Sequence, residues 1–172
     1  MVAFIPPQVP TSAAEPPSGN EWIHEIKHDG FRTMLAIDNG KARAFTRNGY
    51  DWTDRYAPVV RACDSFGCRS ALIDGEIVVE DTNGVSDFDS LPSAIRYHPD
   101  RLVFYAFDLL HLDGQDLRQR ELVERRARLS EIIKPTFAIR YSGHFEGDGL
   151  AFFAAPVLIG PGKTAVTDNI GD

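Results

Sequence analysis

Four dipeptides, Asn39-Gly40, Asn48-Gly49, Asn83-Gly84 and Asp113-Gly114, constrain the fold of this chain more than any other feature. Asn or Asp followed by Gly readily takes the left-handed backbone that tight hairpin turns require, and such turns match the twist of the strands they join. Strand-like runs surround them. Phe31–Ile37 and Lys41–Arg47 flank the first dipeptide. The Ile- and Val-rich run Ala71–Glu80 is closed by the third, and the most apolar run, Leu102–Leu112, by the fourth. Trp22–Lys27 alternates, with Trp22, His24 and Ile26 on one face and Ile23, Glu25 and Lys27 on the other. Phe137–Ser142 is the last predicted strand. Hairpins in the first half imply largely antiparallel sheets, so the expected fold class is α+β, mostly antiparallel sheets with flanking helices.

Three segments read as helices. Asp54–Phe66 places Tyr56, Val59, Val60 and Cys63 at helical spacing, and Asp87–Ile95 has the character of a short capped helix. Leu117–Ile133 turns Leu122, Leu129, Ile132 and Ile133 inward and its arginines outward, and Pro135 stops it. Residues 1–20 contain Pro6, Pro7, Pro10, Pro16 and Pro17 and read as an extended lead-in that wraps the domain. Residues 21–155 form the domain itself. Residues 156–172 show neither strand nor helix period and are expected to be an irregular tail. Gly160-Pro-Gly162-Lys163-Thr164 is not a phosphate loop, because the pattern needs glycine where Val157 stands.

The chain has 172 residues and a net charge of −7, one domain by length. That charge opposes a simple DNA-binding surface, since phosphate contacts need Lys and Arg. The acidity is uneven, however. Residues 61–116 carry 4 basic and 11 acidic groups, against 6 and 7 before them and 8 and 7 after. A local basic path outside the middle third is compatible with these counts. The apolar runs are too short for a membrane helix, and the first ten residues lack a signal-peptide pattern. Cys63 and Cys68 flank a Phe66-Gly67 turn with no metal-ligand spacing beside them, which suits idle thiols in a cytoplasmic protein.

The chemistry concentrates in Lys27-His28-Asp29-Gly30-Phe31-Arg32. An amine, a carboxylate, a glycine and an arginine within two turns of backbone suit a lysine attacking a phosphate ester. Such a lysine must first lose its proton, since an ordinary one is neutral about 0.1% of the time near neutral pH. Arg32 or a metal ion would favour that loss, and Asp29 would oppose it. Glu25 leaves the same strand face as Lys27, roughly 7 Å away. Asp74 and Glu76 share one face of an apolar strand, where carboxylates are costly unless paired or metal-bound, and Gly75 between them leaves room for a ligand. Phe107 could stack on a base, Asp108 needs a partner inside its apolar run, and Arg47 is a candidate phosphate contact. Taken singly, each residue has a bland alternative: a solvated lysine, an outward-facing strand edge, a core aromatic, a surface arginine.

Taken in order, these segments resemble the adenylation domain of ATP-dependent DNA ligases, most nearly the bacterial non-homologous end-joining type. The match runs through Trp22–Arg32, Phe45-Thr46-Arg47-Asn48-Gly49, Leu72–Val78 and Phe104–Gly114. The resemblance implies that Lys27 is the catalytic nucleophile forming a lysyl-AMP, that Glu25 helps recognise adenine and that Phe107 stacks on it. It also implies that Arg32 and Glu76 hold the ribose or metal region, Glu76 being the tentative metal ligand, and that Arg47 faces the phosphates or the nick. ATP and Mg2+ (or Mn2+) are the implied cofactors. Nicked or broken double-stranded DNA is the implied partner, with end-joining proteins beside it, in a bacterial, nucleoid-associated monomer that acts in DNA repair. The family continues with a Glu-Gly motif, a Lys-x-Lys motif and an OB-fold domain, and the match fades near residue 155. The expectation is therefore a C-terminally truncated, impaired ligase of marginal stability. The alternatives are a catalytically dead remnant that at most binds nucleotide or a partner, and a related enzyme acting on RNA ends.

Overall fold

A computed structural model describes residues 2–9, 11, 22–146 and 165–169. In chain order the strands are β1 (Trp22–Ile26), β2 (Phe31–Asp38), β3 (Lys41–Thr46), β4 (Ser70–Val79), β5 (Leu102–Leu112), β6 (Gln115–Asp116), β7 (Ile139–Tyr141), β8 (His144–Glu146) and β9 (Ala165–Asn169). The helices are α1 (Ala57–Ala62), α2 (Leu91–Tyr97) and α3 (Leu122–Ile132). One sheet has the order β3-β2-β4-β5-β6, with β7 pairing β5 in parallel, and a smaller sheet has the order β8-β1-β9. This is the expected α+β class with antiparallel pairing dominant. No helix among the described residues is long and apolar enough to cross a membrane.

Two of the four turn dipeptides take left-handed backbone at both residues, and in Asn48-Gly49 and Asn83-Gly84 the glycine alone does. Asn39 and Gly40 have φ of 50° and 73°, and Asp113 and Gly114 have φ of 45° and 90°. The first pair sets β2 on β3 from Asp38↔Lys41 to Thr33↔Thr46. The second returns β5 onto β6. Which side chains of β2 and β5 face each other across β4 follows from the β2–β4 and β4–β5 registers.

The large sheet buries both faces. Leu35, Ile37, Ile73, Ile77, Phe104 and Leu109 belong to the main core, under the helices. On the opposite face Met34, Ala36, Phe45 and Leu72 are covered by Val2, Phe4 and Ile5. Val2, Phe4 and Ile5 of the lead-in thus pack against the sheet, and residues 12–21 lie outside the described residues.

Several boundaries differ from the sequence reading. The first helix covers only Ala57–Ala62, with Pro58 in its first turn, and tightens into a 3-10 turn at Cys63–Ser65. Helix α2 begins at Leu91 rather than Asp87, because Asp87 is held outside it: Oδ1 accepts the Ser90 N–H and Oδ2 the Ser90 hydroxyl. Helix α3 begins at Leu122 rather than Leu117, because the Leu117 N–H is bonded to the Leu110 carbonyl and Asp116 accepts the Arg118 N–H. Residues 165–169, expected to be irregular, form β9, whose backbone pairs with the whole of β1. The rest of the predicted tail, with Lys163 and the 160–164 loop, lies outside the described residues. Cys63 is buried, and burial pushes its thiol up to about 12, which leaves it protonated and inert.

Gly75 has a different reason from the one its position suggested. A Cβ there would lie 2.3 Å from the Phe104 ring and 2.5 Å from the Tyr105 carbonyl oxygen. The space is filled by the core, not kept for a ligand. Gly75→Ala is expected to destabilise the chain by about 1–3 kcal/mol through overpacking, read as a lower urea midpoint. An unchanged midpoint would show that Phe104 can move aside.

Candidate active site

On the face of the large sheet opposite the main core, β2 and β4 place Met34 opposite Asp74 and Arg32 opposite Glu76. Arg32 grips Asp74 with both arms of its guanidinium, Nε to Oδ1 at 2.7 Å and Nη2 to Oδ2 at 2.8 Å. This forked contact resolves the cost of a carboxylate in an apolar strand. Burial pushes the Asp74 carboxyl above its ordinary range, the Arg32 hydrogen bonds and charge pull it back, and the nearby Asp108 carboxylate adds to the push.

Two β-bulges in β5 complete this face. Ile73 pairs with Leu109 and Leu72 with His111, which leaves Leu110 over. Asp74 pairs with Asp108 and Gly75 with Ala106, which leaves Phe107 over. An unpaired bulge residue is re-aimed relative to its strand. Phe107 is accordingly only half-buried, with its ring 4.4 Å from the Arg32 guanidinium carbon. It is therefore not a plain core aromatic. Asp108 finds the partner it needs in Arg125, Nε to Oδ1 at 2.9 Å.

Lys27 lies just beyond the end of β1. It is exposed, and its Nζ is 2.5 Å from Asp29 Oδ1. Gly30 lets this loop press onto β4, since a Cβ there would stand 2.1 Å from the Ile77 carbonyl oxygen. His28, between Lys27 and Asp29, stacks on Tyr105 at 4.0 Å and exchanges a 3.1 Å hydrogen bond with Ser142. The Tyr105 hydroxyl in turn donates to Glu80, which also takes Arg140. The loop that carries Lys27 is thus held by packing at His28 and Gly30.

Glu76 is the carboxylate left without an ion-pair contact on this face. Burial pushes it up to about 7, while the charges of Arg32 and Lys27 pull it down. Between its ordinary value of 4.5 and about 7 the folded chain holds a proton that the unfolded chain has released. Stability therefore falls as pH rises through this window, and the penalty is complete above it. At about 1.4 kcal/mol per pH unit, the penalty reaches about 3 kcal/mol at most. Glu76→Gln is expected to raise stability at pH 8 by about 1–3 kcal/mol and to flatten this part of the pH profile. Urea unfolding at pH 5 and pH 8, in chelator and without nucleotide, measures both. A glutamine variant less stable than its parent at pH 8 would contradict the assignment.

Glu25 is buried rather than solvated, and its Oε2 lies 2.9 Å from Arg126 Nη1. The same Nη1 donates to the Phe107 carbonyl at 2.7 Å. The sequence reading placed the α3 arginines outward. Arg125 and Arg126 are both buried, and they fall on the stripe Leu122, Arg125, Arg126, Leu129. That helical spacing was the available signal. Arg47 stands apart from the cluster. Its N–H donates to the Arg32 carbonyl at 3.1 Å, while its side chain is exposed. The structure therefore gathers Arg32, Asp74, Glu76 and Phe107, brings Glu25 to Phe107 through Arg126, and leaves Lys27 and Arg47 at the rim. A cavity of about 430 Å³ near Val2, Ile5, Arg69 and His111 contains none of these residues.

Residues 9–149 match the ATP dependent DNA ligase domain family. The chain belongs to the ATP-dependent DNA ligase family. This ligase domain is 38% identical over 135 residues to the multifunctional non-homologous end joining protein LigD of Pseudomonas aeruginosa, covering 78% of the chain and 16% of that protein. It is 35% identical over 128 residues to a DNA ligase of Pyrobaculum islandicum, covering 69% and 22%. The ligase domain of Mycobacterium tuberculosis LigD superposes with a TM-score of 0.75 at 28% identity, covering 90% of this chain and 50% of that one. A mycobacterial DNA ligase D complexed with ATP and MES gives 0.72 at 26% identity, covering 91% and 53%. The chain thus spans about half the length of these ligase-domain structures and a sixth of the Pseudomonas relative.

Proposed function

We propose that this ligase domain uses Lys27 to take AMP from ATP, the first half-reaction of DNA joining. The Lys27 amine attacks the α-phosphorus, a P–N bond forms, the P–O bond to the β-phosphate breaks, and pyrophosphate leaves. AMP then passes from the lysine to a DNA 5′-phosphate. The observation that carries this reading is the grouping of Arg32, Glu76 and Phe107 on one sheet face, with the Lys27 charge acting on Glu76. Phe107 offers an aromatic face to a purine, and Glu25 lies on the same side through Arg126.

The residues also suit a divalent metal ion of the magnesium type. Glu76 is a half-buried carboxylate held toward its protonated form by burial, a cost that a bound cation would offset, and no cluster of three acidic, His or Cys groups exists among the described residues. One protein carboxylate with substrate phosphates is a common way to hold such an ion. When bound, it supplies charge neutralisation at the phosphates. The exposed Arg47, at the rim, fits a phosphate of ATP or of a nicked duplex. We place the reaction in repair of broken DNA, in keeping with the end-joining relatives.

A second reading, a remnant that binds nucleotide without reacting, is favoured by the Lys27–Asp29 ion pair, because a charged amine has no lone pair to attack with. Incubation with α-labelled ATP and Mg2+ or Mn2+, followed by a denaturing gel, separates the two. Label that survives denaturation supports lysine adenylylation, and its absence from folded, ATP-binding protein supports the remnant. Since the chain spans half of the ligase-domain structures, it is not expected to seal a nicked duplex alone. Sealing by the purified chain would overturn that expectation.

A further inference from the structure

We infer that Arg126 is a positioning residue for nucleotide-base selection, acting through Glu25 and Phe107; this deepens the proposed function and rests on it. The guanidinium is 1% exposed and ties three other segments of the chain to α3. Nη1 donates to Glu25 Oε2 in β1 and to the Phe107 carbonyl in β5. Nη2 donates to the Ser142 carbonyl, and Nε lies 3.2 Å from His144 Nδ1. The Tyr141 ring lies 5.4 Å from its central carbon.

A buried guanidinium needs acceptors for its several N–H donors whatever its role. What sets this one apart is that a single nitrogen, Nη1, is shared between the carboxylate and the peptide of the two residues that the proposed pocket presents to a purine. The planar fork fixes their separation and angle together, which a flexible ammonium cannot do. Glu25 comes from the small sheet and Phe107 from a bulge in the large one, so neither sheet by itself sets that geometry. Base discrimination is strongest where buried polar groups are held for one partner's hydrogen bonds and left unpaired by another's. Arg126, from outside the pocket, is the group that holds them.

The test compares ATP and GTP binding by the 172-residue chain, using titration calorimetry, for the parent, Arg126→Lys and Arg126→Gln. The expected result is a parent that prefers ATP and variants whose ATP-over-GTP ratio falls by about tenfold or more, with the unfolding transition still cooperative. Variants that bind more weakly but keep the parent ratio would reduce Arg126 to a structural residue and overturn the inference alone. A parent that binds neither nucleotide would overturn the proposed function as well. Should both variants fail to fold, the Arg126 Nε–H resonance of the parent decides. ATP and GTP should shift it differently, and identical or absent shifts would overturn the inference.

Discussion

Lys27→Ala and Lys27→Arg chains are expected to take up no label from α-labelled ATP under conditions that label the parent. Alanine removes the nucleophile. Arginine keeps the charge and most of the length but presents a guanidinium that stays protonated throughout the accessible pH range. The pair therefore separates covalent chemistry from charge. Both variants should remain folded, because Lys27 is exposed and its ion pair is with the half-exposed Asp29 carboxylate. Exposed pairs of this kind contribute about 0–1 kcal/mol. The bond in the labelled parent should behave as a phosphoramidate, released by acid and resistant to alkali. Labelling of Lys27→Ala at the parent level would place the nucleophile elsewhere and end the proposal.

Arg126→Ala is expected to cost about 3–5 kcal/mol of stability, the range seen when one member of a buried ion pair is deleted. The loss has three parts: a buried Glu25 carboxylate deprived of its Arg126 ion pair, the Phe107 and Ser142 carbonyls that lose their Arg126 donors, and the volume of the side chain. Arg128 provides the control on the same helix. Its partner is Glu124 at 2.9 Å, both are about one-third exposed, and Arg128→Ala should cost about 1 kcal/mol or less. Urea unfolding of the two variants side by side measures the contrast. Equal losses would show that burial at Arg126 is not sustained in solution. Adding Glu25→Leu to an Arg126→Met background should restore part of the loss, because the stranded charge is then gone.

The hairpins and the antiparallel α+β class were legible because the turn chemistry is local. Asn39-Gly40 and Asp113-Gly114 take left-handed backbone at both residues, and the strands on either side pair across the turn. Asp74 and Asp108 were legible as carboxylates needing partners, since burial without one is prohibitive, yet nothing nearby in sequence identifies Arg32 as the partner of one and Arg125 of the other. Arg125 and Arg126 were misplaced for a definite reason. Their spacing matched the inner stripe, but residue type was allowed to overrule position, and arginine is rarely buried unless paired. The pairs that permit it, Asp108 and Glu25, lie 17 and 101 residues away. Gly75 was misread similarly, because the Phe104 ring that fills its space arrives from another strand. Strand β9 escaped notice since five residues with no apolar stripe are recognisable only beside the β1 edge they complete.

The two bulges make β5 longer than the strand it pairs with. Its core-facing positions fall at Phe104, Ala106, Leu109 and Leu112, at intervals of two, three and three. Strand and helix rhythms are therefore mixed in one element. A chain one residue shorter at Phe107 could keep the core contacts on either side of the gap and still close its sheet. It would lose the ring beneath Arg32 and the carbonyl that accepts from Arg126. The pocket's aromatic wall is, in this sense, a surplus in a count, something an insertion creates and a deletion erases. Relatives that differ in length here would differ in what they hold, even with every neighbouring side chain unchanged.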